Sequence, residues 1–229
     1  LLASCAATGV AHFIFSSTAA VYGFPVNGVA DEATPPNPMS PYGRSKLMAE
    51  WMLQDLARCG DLRYGVLRYF NVAGADPDGR LGQSTPAATH LIKVACEAAV
   101  GKRDSVAVFG ADYPTADGTG VRDYIHVTDL AAAHVRALDA LRAGAESFTV
   151  NCGYGHGYSV REVLEAVARV SGTALKTVDA PRRPGDPAVV IAAVDRIRQL
   201  LDWAPTHDDL DFIIRTALEW ERRPQFGDG

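Results

Sequence analysis

Short apolar runs alternate along this chain with longer stretches of helical period, and that alternation admits few folds. The runs are His12–Ser16, Tyr64–Arg68, Val106–Phe109 and Ser147–Asn151, with a shorter one at Lys176–Asp179. Helical stretches fall at Pro41–Arg58, Pro86–Val100, Val127–Arg142, Val160–Ser171, Asp195–Leu201 and Asp208–Arg222. Parallel strands need a crossover of a dozen or more residues, usually a helix. The pattern therefore predicts an α/β fold with a largely parallel sheet. Ser40 before Pro41 is a start signal for the first long helix, because serine can cap free amides and proline loses no needed bond at the first position. The opening residues read as the last turns of a helix, a stop at Gly9 and then a strand, as though the chain begins inside a domain.

The intervening loops, Gly23–Pro38, Gly74–Ser84, Gly110–Gly120 and Ala180–Pro187, are long for plain connectors and are where a binding site is expected. A net charge of −5, with basic residues clustered only as Arg182-Arg183 and Arg222-Arg223, argues against a nucleic-acid partner and for a small anion. Cys5, Cys59, Cys96 and Cys152 show no CxxC and no metal-type spacing to histidine, so they read as buried free thiols of a reducing cytoplasm, with no metal. His126 and His134, eight apart, match no common ligand pattern. The apolar stretch from Leu1 to Tyr22 lacks a basic leader and is broken by polar residues, so it reads as mature protein without a membrane segment. Trp203 and Trp220 fit core packing.

Tyr42 and Lys46 stand four apart in Ser-Pro-Tyr-Gly-Arg-Ser-Lys, which puts both on one helix face. Two readings are open from spacing alone: a solvated lysine beside a packing tyrosine, or a phenol made basic by an ammonium and the positive helix end. Ser16, Ser17 and Thr18 follow a strand, and ligands bind at the carboxyl edge of parallel sheets, so a hydroxyl there can relay a proton to Tyr42. A small anion is best held by bidentate donors, for which Arg122 and Arg183 are the candidates. The competing assignments are an ion pair of Arg122 with Asp123 or Asp129, and a free surface charge for Arg183.

The segments Phe15-Ser-Ser-Thr-Ala-Ala-Val-Tyr-Gly23, Ser40-Pro-Tyr-Gly-Arg-Ser-Lys46 and Leu67-Arg-Tyr-Phe-Asn71 resemble the UDP-glucose 4-epimerase family of extended short-chain dehydrogenases/reductases. So do Val108-Phe-Gly-Ala-Asp-Tyr-Pro-Thr115, Asp117-Gly-Thr-Gly-Val-Arg-Asp-Tyr-Ile-His-Val127 and Pro181-Arg-Arg-Pro-Gly-Asp186, in order along nearly the whole chain. The resemblance implies a Rossmann-like doubly wound parallel sheet whose first βα units are missing, joined to a smaller α/β substrate-binding domain. Residues 1–75, with return segments near 120–152, would be the NAD-binding part; residues 76–119 and 153–229 would bind the UDP-sugar. It implies an NAD-dependent isomerase of galactose metabolism that interconverts UDP-glucose and UDP-galactose through a 4-keto sugar. Tyr42 would be the base, Thr18 would bond the reacting oxygen, Lys46 would hold the nicotinamide ribose, and Phe70 would lie near the nicotinamide. Thr18, Asn71, His90, Leu91, Ala107, Phe109, Arg122, Arg183, Asp186 and Val190 would bind the substrate. A homodimer through Pro41–Arg58 is a further implication.

The chain departs from that family in one large respect: no glycine-rich turn for the dinucleotide pyrophosphate follows any strand. The 229 residues alone are therefore expected neither to bind NAD tightly nor to turn over. His90 stands where many relatives have Asn, and the modest Val190 leaves room near the sugar's C2 substituent. A related dehydratase would need an acid and a base just after Thr18, where Ala19-Ala20 stand. The alternative outside enzymes is a non-catalytic nucleotide-sugar-binding fragment.

Overall fold

The computed structural model describes residues 1–223. It opens on α1 (Leu2–Ala7), which stops where Gly9 takes a left-handed φ of 69°, and continues into β1 (His12–Thr18). After the two-residue β2 (Val29–Ala30), α2 (Pro41–Arg58) starts as its sequence predicts. Ser40 is extended, its hydroxyl accepts from Gly43 N at 3.1 Å, and Pro41 holds the first turn. β3 (Arg63–Tyr69) runs parallel to β1 with Thr18 beside Tyr69, then passes through Phe70 into β4 (Asn71–Ala73).

The middle of the chain supplies α3 (Leu91–Ala99), β5 (Val106–Phe109), β6 (Val121–Arg122), β7 (Tyr124–His126), α4 (Val127–Arg142) and β8 (Phe148–Cys152). Then come β9 (Tyr158–Ser159), α5 (Val160–Ser171), β10 (Thr177–Ala180), β11 (Val189–Ala192), α6 (Asp195–Leu201) and α7 (Leu210–Glu221). α5 carries a full capping box between Ser159 and Glu162 and ends at the left-handed Gly172.

Strands β1, β3 and β8 form a parallel sheet in that order. Its two faces take different helices, as the period of two requires: Ser17 reaches Glu50 on α2, while Ser16 reaches His134 on α4. The central strand is the driest part, with Val66 and Leu67 fully buried. A mixed sheet of order β2-β11-β6-β9, in which only β9 is antiparallel, and the parallel pairs β4-β7 and β5-β10 complete the framework. The core that joins them runs from Tyr22 and Leu67 to Ile197, Ile213 and Leu218. Among the described residues, no helix is long and apolar enough to cross a membrane.

Two expectations need correction. The helix placed at Pro86–Val100 begins only at Leu91: Ala87 has a left-handed φ of 53°, and Arg103 draws Ala88 O to 3.1 Å, so residues 86–90 are a tethered loop. Pro86 signals a helix start that tertiary contacts override. Cys5, Cys96 and Cys152 are buried, but Cys59, at the end of α2, is exposed. Strands β2, β4, β6, β7, β9 and β11 were not anticipated; all but β11 have two or three residues, too few to show a period. Trp203 is buried and donates to Asp129 O at 3.2 Å, in keeping with a core role.

Candidate active site

Thr18 ends β1 and caps the turn that follows, its Oγ1 accepting from Ala20 N at 3.1 Å. The hydroxyl hydrogen is left to donate elsewhere. α2 approaches this turn closely because Gly43 has no side chain: a Cβ there would lie 2.5 Å from Ala20 O. That contact sets Tyr42, in the first turn of α2, over the end of β1. Tyr42 is half-exposed, and the Lys46 ammonium sits 6.0 Å from its ring centroid while donating to Ser16 O at 3.0 Å. The alternative of a freely solvated Lys46 is therefore not what the chain adopts.

Thr18, Tyr42, Tyr69, Phe70, Asn71 and His134 are among the residues around an open cleft of about 1080 Å³. A second cleft, about 540 Å³, is walled by His90 and Leu91 from the start of α3, Ala107 and Phe109 from β5, and Arg122, Arg183 and Asp186. A smaller one of about 260 Å³ holds Thr18, Tyr69, Phe70, Arg122, Asp186 and Val190. Asn71 borders all three, which makes it the hinge point between them.

Of the residues expected to bind cofactor or substrate, all but Lys46 thus line these three clefts, which share Asn71; Lys46 stays beneath the first, on the Ser16 carbonyl, and Ser17 turns away to Glu50. Arg122 is ion-paired, but with Asp186 rather than with Asp123 or Asp129, and also donates to Pro187 O at 2.7 Å. Asp186, read as a ribose acceptor, borders the same cleft and accepts from Arg122 through Oδ1. Arg183 is exposed and its guanidinium carbon lies over the Phe109 ring, 3.9 Å from the centroid, rather than standing as a free charge. Asp123, buried, instead accepts from the backbone of Tyr154, Gly155 and Ala192; burial raises its carboxyl, against the pull of those bonds.

The two strand ends are pinned from below. Ser17 Oγ donates to Glu50, which also accepts from Arg68 Nε at 3.0 Å and Nη2 at 2.6 Å. Arg68 donates on to the Tyr22 hydroxyl at 3.1 Å, and Tyr22 to Asn151 at 2.7 Å. Burial lowers the Arg68 guanidinium, but its bonds to Glu50 outweigh that and raise it; burial pushes the Tyr22 phenol up to about 12. Both groups keep their protons at neutral pH.

Tyr69 and the pairing of Ser16 with His134 were not anticipated. Tyr69 shares the large cleft with Tyr42, and its phenol is raised by burial first and then by Tyr42. Its place in Leu67-Arg-Tyr-Phe-Asn71, beside Phe70 and Asn71, was the available signal. Ser16 and His134 bond each other at 2.7 Å across 118 residues, which no local pattern could reveal.

A nicotinamide with its ribose fits the first cleft: an aromatic at Phe70, donors at Thr18 and Tyr42, and an ammonium below supply partners for a ring, a reacting oxygen and ribose hydroxyls. The pyrophosphate has no comparable cradle, since among the described residues no strand leads into a Gly-x-x-Gly-x-x-Gly turn.

Residues 1–153 match the sequence pattern described as the NAD dependent epimerase/dehydratase family. The chain is 57% identical over 222 residues to a UDP-glucose 4-epimerase of Azospirillum brasilense, covering 97% of this chain and 64% of that protein. With a UDP-glucose 4-epimerase of Lacticaseibacillus casei it shares 45% identity, covering 96% of this chain and 67% of the relative. The fold superposes on the Brucella ovis UDP-glucose 4-epimerase solved with NAD, with a TM-score of 0.92, 45% identity, and coverage of 96% of this chain and 67% of that one. It also matches the UDP-Glc/GlcNAc 4-epimerase of Campylobacter jejuni, with a TM-score of 0.81 and 52% identity over 96% of this chain and 67% of that one. The chain thus spans about two thirds of the length of these relatives.

Proposed function

The chain belongs to the NAD dependent epimerase/dehydratase family, and from that premise we propose that the full-length protein inverts C4 of a UDP-hexose, interconverting UDP-glucose and UDP-galactose with NAD. One observation carries the reading: a phenol, a threonine hydroxyl and a buttressing ammonium meet beside a cleft that continues past Asn71 into an arginine-lined one. The first cleft takes the nicotinamide and the reacting carbon; the second takes the uridine diphosphate. On this reading residues 1–75 and the segments near 120–152 are the remainder of the NAD-binding domain, and residues 76–119 and 153–229 form the UDP-sugar domain.

NAD, when bound, supplies hydride exchange at C4. Tyr42 takes the proton of the 4-hydroxyl and later returns it. The free hydrogen of Thr18 bonds the same oxygen, holding it as it gains carbonyl character. Lys46 holds the ribose of the cofactor, and Phe70 excludes water from the nicotinamide side. Arg122 and Arg183 grip the diphosphate, Asn71 steadies it, and Asp186 accepts from the uridine ribose, while His90, Leu91, Ala107 and Phe109 cradle the uridine. With the nucleotide gripped, the 4-keto hexose can turn about its bond to the diphosphate and present its other face. Ala19 and Ala20, directly after Thr18, carry no group able to move a second proton, which favours epimerisation over dehydration.

Val190 lines the cleft of about 260 Å³ with Thr18 and Asn71, and its size supports acceptance of a larger C2 substituent. Conversion of UDP-GlcNAc by the full-length protein would bear this out, and none at millimolar substrate would defeat it. Exposed Met48, Trp51 and Met52 on α2 support a homodimer through that helix, and the four free cysteines support a cytoplasmic setting. The decisive test of the main reading is Tyr42→Phe in the full-length protein: kcat for UDP-galactose should fall at least ~100-fold. Unchanged turnover would exclude Tyr42 as the base.

A further inference from the structure

Two hydroxyls on one face of β1 present opposite polarity to the large cleft. Thr18 Oγ1 accepts from Ala20 N, so its hydrogen points elsewhere to donate. Two residues earlier, Ser16 Oγ lies 2.7 Å from His134 Nε2, and His134 Nδ1 lies 2.8 Å from Leu130 O. A backbone carbonyl only accepts, so Nδ1 must carry hydrogen; in the neutral imidazole Nε2 then holds a lone pair, and Ser16 must donate to it. With its hydrogen committed, the Ser16 oxygen can only accept from a ligand in the cleft that both residues line. Its backbone is also fixed, because Ser16 O accepts from Lys46.

We propose that Ser16, with its hydroxyl turned by His134, is an acceptor station that selects the carboxamide N–H of the nicotinamide, leaving Thr18 as the donor to the reacting oxygen. The proposal rests on the cofactor reading above. The nicotinamide ring itself offers one N–H donor group, the carboxamide, and on the same reading the ribose hydroxyls fall to Lys46. His134 is a positioning residue that acts through Ser16: without its lone pair the serine hydrogen is free to turn into the cleft, where it would face the carboxamide donor rather than receive it.

The test compares dissociation constants of NAD and of 3-acetylpyridine adenine dinucleotide, in which a methyl group replaces the carboxamide nitrogen, by calorimetry on the full-length protein. The wild type should prefer NAD by about fivefold or more, the worth of one hydrogen bond. Ser16→Ala and His134→Phe should bring the two constants within about twofold while both dinucleotides still bind. Ser16→Ala is the milder change, so it keeps the test open if His134→Phe does not fold. Equal weakening of both ligands in the variants, or no preference in the wild type, would overturn the proposal while leaving the cofactor reading standing. Failure of the wild type to bind either dinucleotide would overturn both.

Discussion

Replacing Glu50 with Gln removes the charge that holds the ends of β1 and β3 together. Glu50 is fully buried and Arg68 is 5% exposed, so the guanidinium would be left with no carboxylate and no water. Three donors converge on Glu50: the Ser17 hydroxyl, and Arg68 through Nε at 3.0 Å and Nη2 at 2.6 Å. Charge-assisted bonds contribute ~1.5–3 kcal/mol each but are not additive, and removing one partner of a buried ion pair costs about 3–5 kcal/mol. Gln keeps the shape and one acceptor, so about 3 kcal/mol is expected. At a urea m-value of ~3 kcal/mol/M this lowers the unfolding midpoint by about 1 M, read by circular dichroism at pH 7. The pair Glu50→Met with Arg68→Met should recover most of the loss, because an apolar replacement leaves no stranded charge. Since Ser17 precedes Thr18 and Arg68 precedes Tyr69, the proposed function predicts that the same substitution slows turnover of the full-length protein. A loss below ~1 kcal/mol, or a double variant no more stable than the single one, would refute the reasoning.

His126 is fully buried, and burial first, then the stacked His207, hold its imidazolium down at about 4 against an ordinary 6.5. The unfolded chain therefore takes a proton that the folded chain refuses between those values. The stability is complete above about pH 6.5, declines as pH falls, and levels off below about 4, with a total loss on the order of 3 kcal/mol. Urea unfolding at pH 7 and pH 5 should show it, and His126→Asn should flatten that slope; an unaltered slope would count against the assignment. Cys96, pushed up to about 12 by burial, and Cys152, raised further by its own burial, should resist a thiol reagent in the native protein while Cys59 reacts at once. Three fast thiols would contradict the packing. Arg183→Ala should weaken UDP binding by on the order of tenfold and leave stability within ~0.5 kcal/mol, since the side chain is exposed; unchanged affinity would remove Arg183 from the diphosphate site.

The long elements were legible because their signals are local. α2 shows its cap and proline before its first turn, and α4 and α5 show sustained helical period; the parallel strands β1, β3 and β5 are marked by short apolar stretches, Phe13–Phe15, Val66-Leu67 and Val106–Phe109. The start of α3 was not, since a long-range bond from Arg103 holds the preceding residues out of the helix. The Tyr42–Lys46 pair was legible as spacing, yet its proximity to Thr18 depends on Gly43, whose missing side chain lets α2 close on Ala20 O. A glycine inside a helical pattern, at a cost of about 1 kcal/mol in propensity, was the clue to that contact.

Local chemistry along the sequence decided which segments became helix or strand and which residue types could supply a base, a relay and anion donors. Those properties depend on a few neighbouring residues and on turn and cap geometry. Pairings between distant residues were settled only by the fold. Arg122 met Asp186 instead of its sequence neighbours, Glu50 joined Ser17 to Arg68, and His134 fixed the polarity of Ser16. Each is a buried or half-buried polar group whose partner must be found in three dimensions, because leaving it unpaired away from water costs more than any local preference can repay.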